Sequence, residues 1–419
     1  MNAYLGIDWD TKQLKAYFSC NGQKPVKIIF NEPSFTEVQM KIDQLKEQNS
    51  SITTITTMVE AGAKQWNNLL HAVGLELYVV NPKKAKRFKE SLQATRAKDD
   101  LRDAKALLAL AKSPAHQDNI KRFKPSSTIE RKVDLLAKMH EDAKKEMSRL
   151  KQQFRSYLQK TCPMIEAFIS SMDALWVFDF FSEIASVWQL EQLNKEQFLN
   201  VMSGTKMRHK NRESFWLAVE KNRGNPLANK DLHEIEKMRI SDFVKRLSYL
   251  RDHLKSLEVQ IESTLSSLPI AKSISKMNGI GSICTLLLCH YGHLDSLERR
   301  DDLSIILGAS PVFVGSGTTR TGENKGYVSM RREVPSQSRS LIYIIGLSLM
   351  QYSKWGKAMY KDGKERNQRA GTIFRRIARS FLRIITSMIK NGTEYDEDKY
   401  IKALIKNGVP WAQKLQPCI

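Results

Sequence analysis

The first quarter of the chain alternates short apolar runs, rich in β-branched residues, with longer stretches whose apolar residues recur at helical spacing. Runs of the first kind are typical of buried strands, and the longer stretches predict amphipathic helices. The predicted strands are Ala3–Asp8, Leu14–Ser19, Val26–Phe30, Ile52–Val59 and Leu77–Val80. The predicted helices are Phe35–Gln48, Ala63–Val73, Lys83–Glu90 and a last one that carries Asp100 and Asp103.

Four acidic residues fall at related places in this order of elements. Asp8 lies on the first strand, Glu60 follows the fourth, and Asp100 and Asp103 share one face of a helix start. The order is that of a ribonuclease-H-like α/β fold, in which the first and fourth strands are neighbours. Four carboxylates at close range repel one another unless a cation such as Mg²⁺ binds them. Taken singly, each acid has a simpler explanation, because acids stabilise helix starts and cap turns.

Two long helices with an apolar seam are predicted in the middle of the chain. Ile129–Leu158 and Asp231–Leu265 carry apolar residues at mixed spacings of three and four, which is typical of coiled coils. The aromatic residues between them, in 165–224, predict the packed core of a helical insertion rather than a surface that stacks bases. The first seam contains Val133, Leu136, Met139, Ala143, Met147, Leu150 and Phe154. The second contains Val244, Leu247, Leu250 or Arg251, Leu254, Leu257, Ile261 and Leu265.

The last third of the chain is predicted to be mainly helical and has two features suited to phosphate. Gly279 and Gly281 form a tight turn between helices at Ser273–Met277 and Ser282–Tyr291. Such a helix-hairpin-helix binds phosphate through backbone amides. The predicted helix Thr372–Lys390 carries a basic stripe, for which the alternative is an ordinary solvated face. The stripe consists of Arg375, Arg379 and Arg383.

Composition narrows the classes of function. A net charge of +22 favours a polyanionic partner, most often nucleic acid. The five cysteines form no CxxC pair, so neither a zinc site nor a disulfide framework is indicated, which fits a reducing cytoplasm. The start of the chain does not resemble a signal peptide. The longest apolar runs, such as Leu341–Met350, are too short to span a bilayer.

Four motifs stand in order in the N-terminal part: Gly6-Ile7-Asp8, Val59-Glu60-Ala61-Gly62, Asn81-Pro82 and Lys98-Asp99-Asp100-Leu101-Arg102-Asp103-Ala104. They resemble the DEDD transposases of insertion-sequence family one hundred and ten. That family includes the Piv DNA invertases and recombinases that a bridge RNA guides. Its pattern Lys-x-Asp-x-x-Asp-Ala aligns with Lys98, Asp100, Asp103 and Ala104 and leaves out Asp99. The resemblance therefore implies a metal-binding tetrad of Asp8, Glu60, Asp100 and Asp103, with Mg²⁺ or Mn²⁺ as cofactor.

A second set of matches lies near the C-terminal hairpin and implies a nucleophile. The positions that match the family are Gly308, Pro311, Ser316, Gly317, Gly326 and Ser329. In the family, the serine of the Ser-Gly pair is the nucleophile, and this role falls on Ser316. From composition alone the same residues would be a flexible Gly-Ser loop. Positive charge for the reacting phosphate would come from Arg320, Lys325, Arg331 and Arg332.

Together these matches imply an insertion-sequence transposase that cuts and rejoins DNA. They imply a dimer or tetramer, nucleoid-associated in the bacterial cytoplasm, with a guide RNA bound near Lys83, Lys84 and Arg87. The alternatives are a resolvase-like metal-dependent nuclease that needs no serine, a guide-free invertase, and a non-catalytic nucleic-acid-binding module. The expected division is a RuvC-like domain at 1–125, coiled-coil helices with an insertion at 126–267, a serine-bearing transposase domain at 268–396 and a tail at 397–419.

Overall fold

The computed structural model describes residues 3–415 with several gaps. The gaps are residues 10–12, 21, 32–33, 50, 62–63, 81, 93–99, 114–119, 126, 206, 208, 222, 225, 227, 293, 295–296, 315–326 and 331–333. The chain divides into two compact units, Met1–Ser127 and Thr128–Ile419.

The described part of the first unit is a mixed sheet with helices, as predicted. Its strands run in the order β3-β2-β1-β4-β5-β6 across the sheet. β1 pairs antiparallel with β2 and parallel with β4, and β4 pairs parallel with β5. The strands are β1 Ala3–Trp9, β2 Leu14–Cys20, β3 Val26–Phe30, β4 Ile55–Glu60, β5 Glu76–Val80 and β6 Lys121–Arg122. The helices are α1 Phe35–Gln48, α2 Lys64–Ala72, α3 Pro82–Leu92 and α4 Asp100–Ala111.

One strand begins three residues later than predicted, one strand was not predicted, and the other bounds of the predicted strands agree to within one residue. β4 begins at Ile55 rather than Ile52, because the described pairing of β1 with β4 starts where Ala3 faces Ile55. β6 was not predicted as a strand, since two basic residues give no periodic signal. It exists because Arg122 pairs antiparallel with Tyr78 of β5. Whether a segment is a strand therefore depends on the neighbour that it meets.

The described part of the second unit is mainly helical. A short antiparallel pair joins β7 to β8, with Val314 opposite Tyr327. The strands are β7 Pro311–Val314 and β8 Tyr327–Met330. The helices are α5 Thr128–Thr161, α6 Pro163–Phe168, α7 Leu175–Glu183, α8 Val187–Gln192, α9 Lys195–Ser203, α10 His209–Lys221, α11 His233–Ser266, α12 Pro269–Ser275, α13 Ser282–Gly292, α14 Asp302–Ile306, α15 Ser336–Tyr352, α16 Lys354–Glu365, α17 Ala370–Asn391, α18 Glu397–Lys406 and α19 Pro410–Gln413, with a 3-10 turn at Lys230–Leu232.

The two long helices, α5 and α11, pack against each other through the predicted apolar positions, with one exception. Met139 of α5 is 46% exposed, whereas the neighbouring His140 is 5% exposed. The prediction for Met139 was wrong, because the buried positions step from Leu136 by four residues and not by three. On α11 the open choice is settled, since Leu250 is buried and Arg251 lies over the ring of Phe178.

The aromatic residues of the insertion form a packed core, as predicted. Phe180, Phe198 and Phe215 are fully buried. Phe215 stacks on Phe168 and meets Phe180 edge to face. Rings that pack on one another in this way are not available to stack bases.

A second core in this unit holds the C-terminal helices together around Trp355, Ile373 and Phe381, which are fully buried.

Among the described residues, no helix combines the length and the apolar composition that crossing a membrane requires.

Candidate active site

The sheet places the first two predicted acids side by side. In the parallel pair of β1 and β4, Ile7 lies opposite Val59, so Asp8 and Glu60 are the next residues on adjacent strands. Side chains alternate between the two faces of a strand, and paired residues of parallel strands share a face. Ile7 and Val59 are fully buried on one face, and Asp8 and Glu60 therefore lie on the other. Asp8 and Glu60 are both half-buried.

Helix α4 brings the third acid to this face. Gly6 is two residues before Asp8 and so lies on the same face of β1. A Cβ atom built on Gly6 would lie 2.1 Å from the amide nitrogen of Leu108, so the α4 backbone touches the strand. The first turn of α4 contains Asp103, which is half-buried like Asp8 and Glu60. The glycine in the predicted Gly-Ile-Asp motif thus allows the helix to reach the acids.

A lysine of α3 links these acids. The Nζ atom of Lys89 lies 2.9 Å from Oδ2 of Asp103 and 3.4 Å from Oε2 of Glu60. Burial by itself lowers the pKa of Lys89, but the hydrogen bond that Lys89 donates to Asp103 and the charges of Asp103, Glu60 and Asp8 outweigh it and raise the pKa above its ordinary value. The charge of Asp8 therefore acts on the same ammonium group that contacts the other two acids. Two of the four predicted acids contact one cation, and the charge of a third acts on it.

The chemistry of these side chains suits a hard divalent ion. The groups that converge are carboxylates, which Mg²⁺ and Mn²⁺ prefer, and a cation already lies between two of them. Within the described residues, no group of three or more His, Cys, Asp or Glu side chains meets the geometry of a metal site. Asp100 is the first residue of α4, but its side chain is outside the described residues, as is the whole of Asp99.

The glycine hairpin lies between α12 and α13, as predicted. Gly279 has a φ of +86°, and its missing side chain makes room for Tyr352, whose ring carbon would lie 2.9 Å from a Cβ atom there. Gly281 is exposed, with open space where a side chain would be, and it directly precedes Ser282 at the start of α13. Of these two glycines, Gly281 is therefore the one beside which a phosphate would have room to approach the start of α13.

The arginine stripe of α17 is largely engaged within the protein. Arg383 makes a bidentate pair with Asp301, with distances of 2.6 Å and 3.0 Å. Arg379 lies 3.4 Å from the same carboxylate. The hydrogen bond from Arg383 lowers the pKa of Asp301. Arg375 donates to the carbonyl oxygen of Gly371 at 2.9 Å.

Several predicted site residues lie outside the described residues. These are Ser316, Arg320, Lys325, Arg331 and Arg332, together with the side chains of Lys83, Lys84 and Arg87. Their roles stay predictions. In the sequence, Ser316 lies between β7 and β8.

Two residues, one in each unit, were missed by the sequence reasoning. Lys89 follows the buried Ala85 by four residues, so it lies on the inner face of α3, and this spacing was a usable signal. Asp301 gave no such signal, because its partners Arg379 and Arg383 are far from it in the chain.

The geometry thus describes an α/β unit whose acids gather at the ends of two adjacent parallel strands. A model of the DEDD transposases of insertion-sequence family one hundred and ten, described as "Transposase", matches residues 5–163. The match confirms the resemblance drawn from the N-terminal motifs and supports an insertion-sequence transposase, which implies DNA as a partner and divalent metal in general. It includes all four acids and Lys89 and ends before Ser316. No curated protein matches the chain.

Proposed function

We propose that this protein cuts and rejoins DNA at the ends of an insertion sequence, with Asp8, Glu60, Asp100 and Asp103 as the metal-binding tetrad and Ser316 as the nucleophile. The observation that supports it best is the convergence on Lys89. Acids from β1, β4 and α4, which are far apart in the chain, act on one ammonium group. Acids that merely capped separate turns and helix starts would have no reason to meet.

The strand order supports a RuvC-like, ribonuclease-H-like identity for the first unit. The pair β2-β3 is antiparallel on one side of β1, and β4 and β5 are parallel to β1 on the other side. This is the arrangement that places the ends of the first and fourth strands together. In the second unit, the seam between α5 and α11 supports a coiled-coil role, and a dimer or tetramer is part of the proposal.

The chemistry assigned to the chain is a transfer of one phosphoester bond. The Ser316 hydroxyl loses its proton and forms an Oγ–P bond, while one P–O bond of the DNA backbone breaks and the leaving oxygen takes up a proton. The four carboxylates hold Mg²⁺ or Mn²⁺, which when bound supplies positive charge to the attacking and leaving oxygens. The covalent link conserves the energy of the broken bond, so resealing needs no ATP.

A suicide substrate tests the serine role. The DNA is nicked so that the cut end cannot be resealed, and the products are separated under denaturing conditions. The wild-type protein should leave a protein–DNA adduct whose peptide contains Ser316, and Ser316→Ala should lose both the adduct and recombination. Normal cleavage by Ser316→Ala, without an adduct in the wild type, would instead indicate a resolvase-like nuclease.

Guidance by a bridge RNA is the part of the proposal that rests on the family alone. Lys83, Lys84 and Arg87 of α3 would contribute to RNA binding in the first unit. The protein should be purified from cells that carry the whole element, and the bound RNA should be sequenced. One structured RNA encoded beside the gene supports guidance. Recovery of bulk cellular RNA only, with full recombination after ribonuclease treatment, would favour a guide-free, Piv-like mode.

A further inference from the structure

Lys89 lies at the position where the proposed metal site needs positive charge. Its ammonium group contacts Asp103 at 2.9 Å and Glu60 at 3.4 Å, and these acids come from different elements of the fold. The group therefore neutralises part of the repulsion between the acids and holds α3, α4 and β4 in a fixed relation. Neither contact was required by the local helix, since Lys89 and Glu60 are 29 residues apart.

The same contacts can be exchanged for others. The side chains of Lys89, Glu60 and Asp103 are 22%, 25% and 28% exposed, so water and ions reach them. A lysine ammonium lies at the end of a flexible four-carbon chain. Lys89 is also in the last turn of α3, which ends at Leu92. It can therefore leave the acids without unfolding the helix.

A divalent ion and this ammonium group cannot both bind the same carboxylate oxygen atoms at one time. Mg²⁺ binds carboxylate oxygens at about 2.1 Å, and a cation hydrogen-bonded to the same oxygens would be repelled at such range. Binding of the ion must then displace Lys89 from at least one acid. The free energy of breaking that contact reduces the free energy gained on binding the ion.

We propose that Lys89 is a positioning residue that holds Glu60 and Asp103 together when no divalent ion is bound, and that it competes with the ion for these carboxylates. The inference rests on the metal-binding role of the acids in the proposed function. It states what that role does not: the chain supplies its own cation, and this cation lowers the affinity of the site for Mg²⁺ or Mn²⁺.

The test is a titration of the full-length protein with Mn²⁺. Binding is measured by calorimetry and by the electron paramagnetic resonance signal of free Mn²⁺. Lys89→Met, which keeps the length of the side chain and removes its charge, should bind Mn²⁺ about tenfold more tightly. In EDTA it should melt at a lower temperature than the wild type, and Mn²⁺ should raise its melting temperature more. Lys89→Arg should bind Mn²⁺ no more tightly than the wild type, because a guanidinium group holds carboxylates firmly.

Lys86→Met is the matched control. Lys86 is on the same helix, its side chain is 76% exposed, and it lies 4.0 Å from Glu90, away from the acids. Removing this charge should leave the Mn²⁺ affinity within about twofold of the wild type, since surface charges act weakly at a distance.

The outcomes separate this inference from the proposed function. If neither the wild type nor Asp103→Asn binds Mn²⁺, both the inference and the proposed metal-binding role are overturned. Binding in the wild type that Asp103→Asn abolishes, with unchanged or weaker binding in a folded Lys89→Met, would overturn the inference alone. If Lys89→Met is unfolded in EDTA, refolding on addition of Mn²⁺ supports the competition. Failure to refold with Mn²⁺ contradicts it, because Lys89 would then be needed for folding whether or not the ion is bound.

Discussion

Gly6 of β1 lies in direct backbone contact with Ala104 of α4, since a Cβ atom on Gly6 would lie 2.4 Å from the carbonyl oxygen of Ala104. The obstacle is main chain, which cannot rotate away as a side chain can. Asp103 is the residue directly before Ala104. The position of this acid therefore depends on the absence of a side chain at Gly6.

Gly6→Ala should consequently damage both the stability and the active site. Overpacking in a core typically costs about 1–3 kcal/mol, and a clash with backbone lies at the upper end of this range. Denaturant unfolding followed by circular dichroism measures the loss, and DNA cleavage should fall with it. Gly371→Ala is the control, since Gly371 lies in the first turn of α17 and has open space at its Cβ position. Equal stability of Gly6→Ala and wild type would contradict the observed close contact.

The tetrad makes a prediction that also fixes its register. Alanine at Asp8, Glu60, Asp100 or Asp103 should abolish strand cleavage while nucleic-acid binding remains, because in the proposed function the acids hold metal rather than contact the bulk of the DNA. Asp99→Ala, one residue away, should be mild. Gel-based cleavage and filter-binding assays on the same preparations measure the two effects. Full cleavage by Asp103→Ala, or loss on changing Asp99 instead, would show that another set of acids is used.

The pairing of Asp301 with Arg383 leads to two opposite changes in DNA binding if α17 faces DNA. Asp301→Asn removes the carboxylate that engages Arg379 and Arg383, so it should raise affinity and steepen the fall of log K with log salt. Changing Arg375, Arg379 and Arg383 together to Gln should make that fall shallower. Binding isotherms at several salt concentrations measure the slopes, which change by about 0.9 for each phosphate contact.

Two further observations belong to that experiment. Asp301→Asn should also lower stability by about 1 kcal/mol, since the pair is partly exposed and its worth is reduced by solvent. The stability of the two variants must therefore be measured beside their affinity. If neither variant alters the slope, α17 lies outside the DNA interface and its arginines serve only to hold Asp301.

The burial of His140 leads us to expect that the folded protein loses stability in mild acid. It is buried on α5, and its Nε2 atom has no hydrogen-bond partner within the described residues. Burial together with Lys144 lowers its pKa, against the opposing charges of Glu258 and Glu141. The unfolded chain takes up a proton near pH 6.5, whereas the folded protein takes it up only at lower pH. Stability contributed by this site is thus complete above pH 6.5 and is lost as the pH falls towards the folded pKa.

His140→Leu is the variant that isolates this effect. It should be more stable than the wild type at pH 5.5 by more than it is at pH 8, because leucine does not titrate and leaves no polar atom unpaired. Denaturant unfolding at both pH values measures the difference. An equal difference at the two values would show that protonation of His140 does not affect folding.

Much of the first unit could be predicted from local patterns. The alternation of side chains in β1 and the helical spacing in α1 are properties of a few adjacent residues, and both elements lie where the pattern placed them. The acids were recognisable because they follow or begin such elements. Their meeting could be expected from the order of strands, although the distances could not.

The long helices show where local spacing reaches its limit. A choice between Met139 and His140 at the seam, or between Leu250 and Arg251, is a choice between steps of three and four residues, and both steps occur in real seams. Tertiary packing decides it, because it buries only one side chain of each pair. Hydrophobicity favours Met139, and the geometry nevertheless buries the histidine.

The pattern of residues along the chain was thus enough to predict the order of the strands and helices, their apolar faces and the set of acids. Each of these features depends on the spacing of a few neighbouring residues. The contacts of Lys89 with Glu60 and of Arg383 with Asp301 join residues 29 and 82 positions apart. No local rule selects such partners, because a surface lysine or arginine can pair equally well with any carboxylate that lies within reach. Folding selects them by bringing α3 to β4 and α17 to the start of α14, and so determines which charges of this very basic protein are already engaged.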